Sequence, residues 1–169
     1  MDTTEKIYVG DMAHPLCSLH VAVTEKGLAF VGSENGSWEE IEQWKAAKRP
    51  RALLVEDQDR VASYIEEIME YLDGGRKEFE IPLDVVGTPF QQEVWNALSK
   101  IPYAATAAYS EIAGEIGRPK AVRAVGAAIG ANPVMIVVPC HRVVGKNGKL
   151  TGFRGGLAMK EKLLELEWK

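Results

Sequence analysis

Cys140 stands in the run Pro139-Cys140-His141-Arg142-Val143-Val144, with two basic side chains directly after it. Cysteine reacts as its thiolate, and with a pKa of about 8.5 only a few per cent is ionised near neutral pH. A nucleophilic role therefore needs activation, which His141 and Arg142 are placed to give, while the apolar run Val134–Val138 keeps bulk water off the sulfur. The competing reading of any one cysteine is a small buried core residue, and the basic neighbours weigh against it. The other cysteine, Cys17, is flanked by His14 and His20 at intervals of three. Metal ligation fits poorly there: residues three apart on a strand face opposite sides, and no fourth ligand follows at a close pair spacing. Cys17 is expected to be buried, with surface histidines and no metal. The two cysteines could form one disulfide, but a reducing compartment favours free thiols.

The elements that must position Cys140 follow from the second half of the chain. Thr88-Pro89-Phe90-Gln91 predicts a helix start with a capping hydroxyl, proline at the first helical position and Gln at the capping-box position. Phe90, Val94, Ala97, Leu98 and Ile101 form its apolar stripe, and Pro102 ends it. Ser110 is expected to cap a helix to Ile116. Gly117-Arg118 makes a break, and Pro119 opens a second helix over Lys120 to Gly130. The pair reads as a helix-turn-helix. Its second helix is thin, with Ala121, Ala124, Gly126, Ala127, Ala128 and Gly130, and carries Arg123 as the long cation in its middle. Such a helix can approach either a partner or a neighbouring helix closely. Asn132-Pro133 ends it, and Val134 to Val138 is expected to be a buried strand or extended segment leading into Pro139-Cys140.

The first 80 residues predict a small mixed module. Leu19, Val21 and Val23 alternate with His20, Ala22 and Thr24, and Glu25-Lys26-Gly27 turns the chain before Leu28 to Val31, which predicts a β-hairpin. Helices are predicted over Trp38 to Lys48 and Asp59 to Leu72. With 46 % hydrophobic and 26 % charged residues the chain is a globular protein rather than a disordered one. No apolar stretch reaches the roughly 20 residues of a membrane span, and Met1 to Lys6 lacks the basic and apolar regions of a signal peptide, so a cytoplasmic protein with no membrane partner is expected. The net charge of −4 hides an asymmetry: 9 Lys and Arg face 18 Asp and Glu up to Gly87, whereas beyond it 11 face 6. A polyanion would be drawn to the second half alone.

Pro139-Cys140-His141-Arg142-Val143, preceded by Asn132-Pro133 and followed by Gly152-Phe153-Arg154-Gly155-Gly156-Leu157, resembles the active-site signature of the O6-alkylguanine-DNA alkyltransferases, the methylated-DNA-protein-cysteine methyltransferases. The resemblance runs from about Thr88 to Glu167 and is fainter over the N-terminal module. It implies a fold of α/β (α+β) class: an N-terminal mixed sheet-and-helix module, ribonuclease H-like, over 1–81, a linker over 82–87, and a mostly helical DNA-binding alkyltransferase domain over 88–169. By the family's pattern Cys140 is the nucleophile and alkyl acceptor, His141 the base acting through a water, and Glu167 the carboxylate that orients it. Tyr109 lies by the target phosphate and donates toward the guanine ring. Asn132 braces the turn before the active-site loop. Arg123 fills the gap left by an everted base, with Ala121, Ala124 and Gly126 lining the close approach to DNA. Met135, Val143, Phe153 and Arg154 line the pocket, the backbone of Cys140, Val143 and Arg154 reading the guanine edge.

The implied function is direct repair of O6-alkylguanine, chiefly O6-methylguanine with O4-methylthymine as a second candidate, in double-stranded DNA. Extrusion of the base is required because the alkylated oxygen lies inside the stack. The thioether product has no easy route back to thiolate, so each monomer works once, with no cofactor. Ala104-Ala105 and Ala107-Ala108 depart from the glycine and polar residues the family commonly carries before the tyrosine, and Phe153 stands where some members have tyrosine. Two rivals remain: a non-catalytic protein that only binds alkyl lesions, and a cysteine hydrolase using Cys140 and His141. The first is disfavoured by the cysteine itself, the second by the lack of an oxyanion site or a separated histidine.

Overall fold

The computed structural model describes residues 4–169; Met1–Thr3, the start of the stretch read for a signal peptide, lie outside the described residues. The chain divides into two compact units, Met1–Val86 and Gly87–Lys169, and is mixed α/β, with a sheet and helices in the first and mainly helices in the second.

In the first unit strands β1 (Lys6–Ala13), β2 (Ser18–Thr24) and β3 (Gly27–Val31) precede helix α1 (Trp38–Lys48), strand β4 (Leu53–Glu56) and helix α2 (Gln58–Leu72). The sheet order is β3-β2-β1-β4, antiparallel except for the parallel β1–β4 pair. β2 and β3 are the hairpin predicted from alternation, with a register shift at Ala22/Val23. β1 escapes an alternation test because it is central and covered on both sides. Ile7 and Val9 join Phe30 and Ile41 in a core that Trp38 and Trp44 flank. On the opposite face a Cβ at Gly10 would stand 2.2 Å from Val61 Cγ2 of α2, so glycine is what lets that helix settle on the strand. α2 begins one residue before its predicted start, capped by Asp57, whose carboxylate accepts from the Arg60 amide at 3.1 Å. Pro82 and Asp84 hydrogen-bond Leu28 of β3, and Asp84 also meets Arg49 at 3.1 Å.

Cys17 is buried as expected. His14 is not the surface residue its sequence context suggested: its side chain is only 6 % exposed and Nε2 lies 2.7 Å from Asp73. His20 is also partly covered and pairs with Asp11.

The second unit runs α3 (Pro89–Leu98), β5 (Ala107–Ala108), α4 (Tyr109–Glu115), α5 (Val122–Gly130), a 3-10 turn at Cys140–Arg142, β6 (Val143–Val144), a second 3-10 turn at Lys146–Gly148, and α6 (Leu157–Glu167). α3 carries the predicted capping box, with Thr88 Oγ1 accepting from the Gln91 amide at 3.1 Å and Gln91 Oε1 from the Thr88 amide at 3.0 Å. Val94, Leu98, Ile112, Val125 and Ile129 form the buried centre of α3, α4 and α5, and Trp95 Nε1 donates to the Ala128 carbonyl at 2.8 Å.

Three local expectations are corrected. Ser110 does not cap α4: the helix starts at Tyr109, and Glu111 instead accepts the Ala108 amide at 3.0 Å. Pro119 does not open α5, because Arg118 to Ala121 close a turn, with the Ala121 amide on the Arg118 carbonyl at 2.9 Å. Arg123 therefore lies in the first turn of α5 rather than its middle. Val134–Val138 is buried but is no strand. The Val138 amide returns to the Val134 carbonyl at 3.0 Å, and Ile136 sits at φ 76°, a region β-branched residues rarely enter.

Candidate active site

Cys140 opens the 3-10 turn Cys140–Arg142 and is 5 % exposed; neither cysteine is in a disulfide. Two side chains of this turn and one backbone amide are wired to Glu167, which α6 delivers from 25 or more residues downstream. His141 Nε2 lies 2.6 Å from Glu167 Oε2. Arg142 Nε and Nη2 donate to Oε1 and Oε2 of the same carboxylate at 2.9 and 3.0 Å, a two-point pairing that fixes its plane. The Ala104 amide donates to Oε1 at 3.2 Å. Arg142 Nη1 reaches the Ile101 carbonyl at 2.7 Å, so one guanidinium joins the turn, the end of the α3 segment and α6. His141, Glu167 and Arg142 are 0 %, 2 % and 7 % exposed; the three form one buried chain.

Sequence adjacency suggested that Arg142 activates the sulfur, and the structure corrects this. Consecutive residues of a 3-10 turn point about a third of a revolution apart, and Arg142 faces Glu167 and Ile101. The cations that bear on Cys140 are Arg154 and Lys160. Burial pushes the Cys140 thiol up, against a lowering hydrogen bond from the Asn132 side chain and the charges of Arg154 and Lys160. Burial likewise pushes His141 down, opposed by the hydrogen bond and charge of Glu167. Lys160 is lowered by burial, with the Cys140 charge opposing it. The resting pair is thus neutral thiol beside neutral imidazole, so the ionised sulfur has to be made by a proton transfer.

Asn132, 1 % exposed, donates through Nδ2 to the Val138 carbonyl at 2.9 Å and accepts the Val134 amide on Oδ1 at 3.0 Å. Its side chain thereby closes the 132–138 turns that Ile136 bends. Arg154 lies across the same place, with Nε donating to the Asn132 carbonyl and Nη2 to the Pro133 carbonyl, both at 3.2 Å. Lys160 Nζ, on the buried side of α6, donates to the Val143 carbonyl at 2.6 Å and the Thr151 carbonyl at 3.3 Å. Met135 and Val143 are fully buried. Gly155 packs so closely that a Cβ there would stand 2.7 Å from the Phe153 ring, 2.9 Å from Met159 Sδ and 3.0 Å from Met135 Sδ.

Tyr109 reaches this region because β5 pairs with β6, Ala107 beside Val143 and Ala108 beside Val144, and α4 starts directly after β5. Its ring lies against α5, where a Cβ at Gly126 would be 3.8 Å away. The exposed face of α5 carries Arg123, Ala124 and Ala127, with Ala121 partly covered at its start. So Cys140, His141, Glu167, Asn132, Met135, Val143, Phe153 and Arg154 gather around one turn, whereas Arg123 and Ala124 belong to a separate outward face. Sequence reading missed the structural parts of Arg142, Lys160, Thr151 and Gly155. Lys160 had a faint signal: on α6 it shares a helical face with the apolar Leu163 and with Glu167.

Two family models cover almost the whole chain. Residues 7–85 match the ribonuclease-like domain of 6-O-methylguanine DNA methyltransferase, and residues 89–169 match its DNA-binding domain. The inducible methylated-DNA–protein-cysteine methyltransferase of Bacillus subtilis is 57 % identical over 150 residues, covering 89 % of this chain and 84 % of the relative. The crystal structure of the Mycobacterium tuberculosis O6-methylguanine methyltransferase superposes with a TM-score of 0.81 at 38 % identity, covering 96 % and 93 % of the two chains. A structure of the Mycobacterium tuberculosis protein in complex with DNA gives 0.80 at 39 % identity over 96 % and 92 %.

Proposed function

The chain belongs to the 6-O-methylguanine DNA methyltransferase family, and we propose that within it Cys140 is the atom-accepting centre of DNA repair by direct alkyl transfer. The protein is a methylated-DNA–protein-cysteine methyltransferase that acts on alkylated guanine in DNA. The observation that carries the site assignment is the buried chain His141–Glu167–Arg142 set beside a buried Cys140. Its chemistry balances without a cofactor. Once the base is everted, the thiol proton passes through a bridging water to His141, which Glu167 steadies as imidazolium. The sulfur pair attacks the alkyl carbon, the carbon–O6 bond breaks, and its electrons pass onto O6 and into the ring. The guanine takes up one proton on its ring nitrogen as His141 gives one up, so the proton that left Cys140 ends on the base, and normal guanine leaves beside an S-alkylcysteine. Tyr109 donates toward the ring as that charge builds.

DNA is held by phosphate contacts and by the thin outward face of α5, with Arg123 filling the space of the extruded base and Ala121, Ala124 and Gly126 permitting the approach. Met135, Val143, Phe153 and Arg154 shape the pocket, and Asn132 holds the turn that carries Cys140. The working protein is a monomer of the cytoplasm, where a reduced thiol persists. No described helix is long and apolar enough to cross a membrane. The test is to mix the protein with duplex carrying one O6-methylguanine and weigh it. A permanent gain of one methyl per molecule on Cys140 is expected, with Cys140→Ser unmodified. Continuing turnover after a burst points to a hydrolase, and retention of DNA with no mass gain points to a lesion-binding protein; either overturns the assignment.

A further inference from the structure

Tyr109 Oη lies 2.6 Å from Thr151 Oγ1, and either oxygen can be the donor. We propose that Thr151 is a positioning residue for alkyl transfer: its hydroxyl donates to the Tyr109 oxygen, so that the single phenolic proton is directed at the guanine. The inference rests on the reading above that Tyr109 donates to the ring. A phenol has one proton. When the phenolic O–H points at the base as a hydrogen-bond donor, the short contact with Thr151 survives only with Thr151 as donor. A hydroxyl that receives one hydrogen bond becomes a better donor of the next, so Thr151 strengthens Tyr109 at the moment negative charge grows on the purine. No proton leaves either hydroxyl; the two hydrogen bonds shorten together and relax once the guanine is protonated.

The surroundings fix this arrangement. Thr151 is held by its own carbonyl, which receives Lys160 Nζ at 3.3 Å, and the same ammonium grips the Val143 carbonyl at 2.6 Å in the strand that follows the Cys140 turn. The threonine methyl is seated against Gly145, where a Cβ would come within 3.1 Å of Thr151 Cγ2. With the methyl so placed, the hydroxyl is left toward the tyrosine. On the other side the Tyr109 ring rests on the glycine face of α5 at Gly126. The donor pair therefore spans the loop beyond the nucleophile, the small strand pair and the thin helix.

The experiment compares Thr151→Val, Thr151→Ser, Tyr109→Phe and Thr151→Val/Tyr109→Phe on duplex containing O6-methylguanine. The single-turnover rate at saturating protein and the dissociation constant for DNA are measured separately. Loss of one modest hydrogen bond corresponds to a rate about 3- to 10-fold lower for Thr151→Val. DNA affinity is unchanged, Thr151→Ser keeps the wild-type rate within about twofold, and Thr151→Val adds nothing once Tyr109 is Phe. A wild-type rate in Thr151→Val beside a slowed Tyr109→Phe overturns this inference alone. A Thr151→Val defect that persists in the Tyr109→Phe background, or that shows only in affinity, overturns it as well. A wild-type rate in Tyr109→Phe removes the reading of Tyr109 on which it stands.

Discussion

Glu167→Gln should separate what the buried carboxylate does for folding from what it does for chemistry. Its two oxygens accept from His141, from two nitrogens of Arg142 and from the Ala104 amide. Gln keeps the shape but turns one acceptor into a donor facing donors, and strands a guanidinium that is only 8 % exposed. Breaking such a buried pair from one side costs about 3–5 kcal/mol, which at ordinary denaturant dependence lowers the urea midpoint by roughly 1–5 M. Removing the cation too, as Arg142→Met/Glu167→Gln, abolishes the uncompensated charge. What remains is mainly the Ile101 carbonyl, which loses its Arg142 donor at about 1–3 kcal/mol. The double variant should therefore be more stable than Glu167→Gln alone. Transfer should not follow: in both variants His141 has lost the charge that steadies its imidazolium, and the single-turnover rate should be down by about 100-fold. Urea unfolding and single-turnover transfer of a labelled alkyl group read the two quantities. A double variant less stable than either single one, or a transfer rate restored together with stability, would refute the reasoning.

The pH dependence of transfer follows from a neutral resting pair. His141 is held below its usual value of about 6.5, so the rate should stay level through neutrality and fall only as pH drops below that value; a midpoint above 7 would contradict it. The same shift sets stability: the native state binds fewer protons at His141 than the unfolded chain, so stability is lost as pH falls from the unfolded value toward the folded one. At Cys140 the sign is opposite, because a raised thiol pKa makes stability fall as pH climbs past the unfolded value near 8.5. Asn132→Ala takes the acceptor from the Val134 amide, while the Val138 carbonyl keeps the Cys140 amide, and should destabilise by about 1–3 kcal/mol, seen as a lowered melting point and a reactivity loss that tracks it. Gly155→Ala forces Phe153, Met135 and Met159 to move and should cost about 1–3 kcal/mol; an unchanged urea midpoint would show that the thioethers and ring yield freely.

The parts of this molecule legible in the sequence are those where one short segment decides the outcome. The α3 capping box needs only Thr88, Pro89 and Gln91, and the hairpin only its alternation and turn. Val134–Val138 misleads because a run of β-branched and apolar residues looks the same whether it is a buried strand or a buried coil. The deciding group, the Asn132 side chain, bonds to both ends of that run and carries no periodic signal. β1 hid for the related reason that a strand covered on both faces has no polar side to mark it.

The site divides in the same way. Its chemistry is written in the residue types of Cys140 and His141, whereas its electrostatics depend on which way a tight turn throws each side chain. Arg142, adjacent in sequence, is spent on Glu167 and Ile101, while Arg154 and Lys160, far along the chain, supply the positive charge at the sulfur. Those two cations sit on opposite sides of Gly155-Gly156, and both donate to backbone carbonyls. A hydrogen bond to a neutral carbonyl brings no opposing charge to a cation, whereas pairing with a carboxylate largely cancels it. This is why Arg154 and Lys160 can favour a thiolate once the proton has moved, and why Arg142, for all its proximity, cannot.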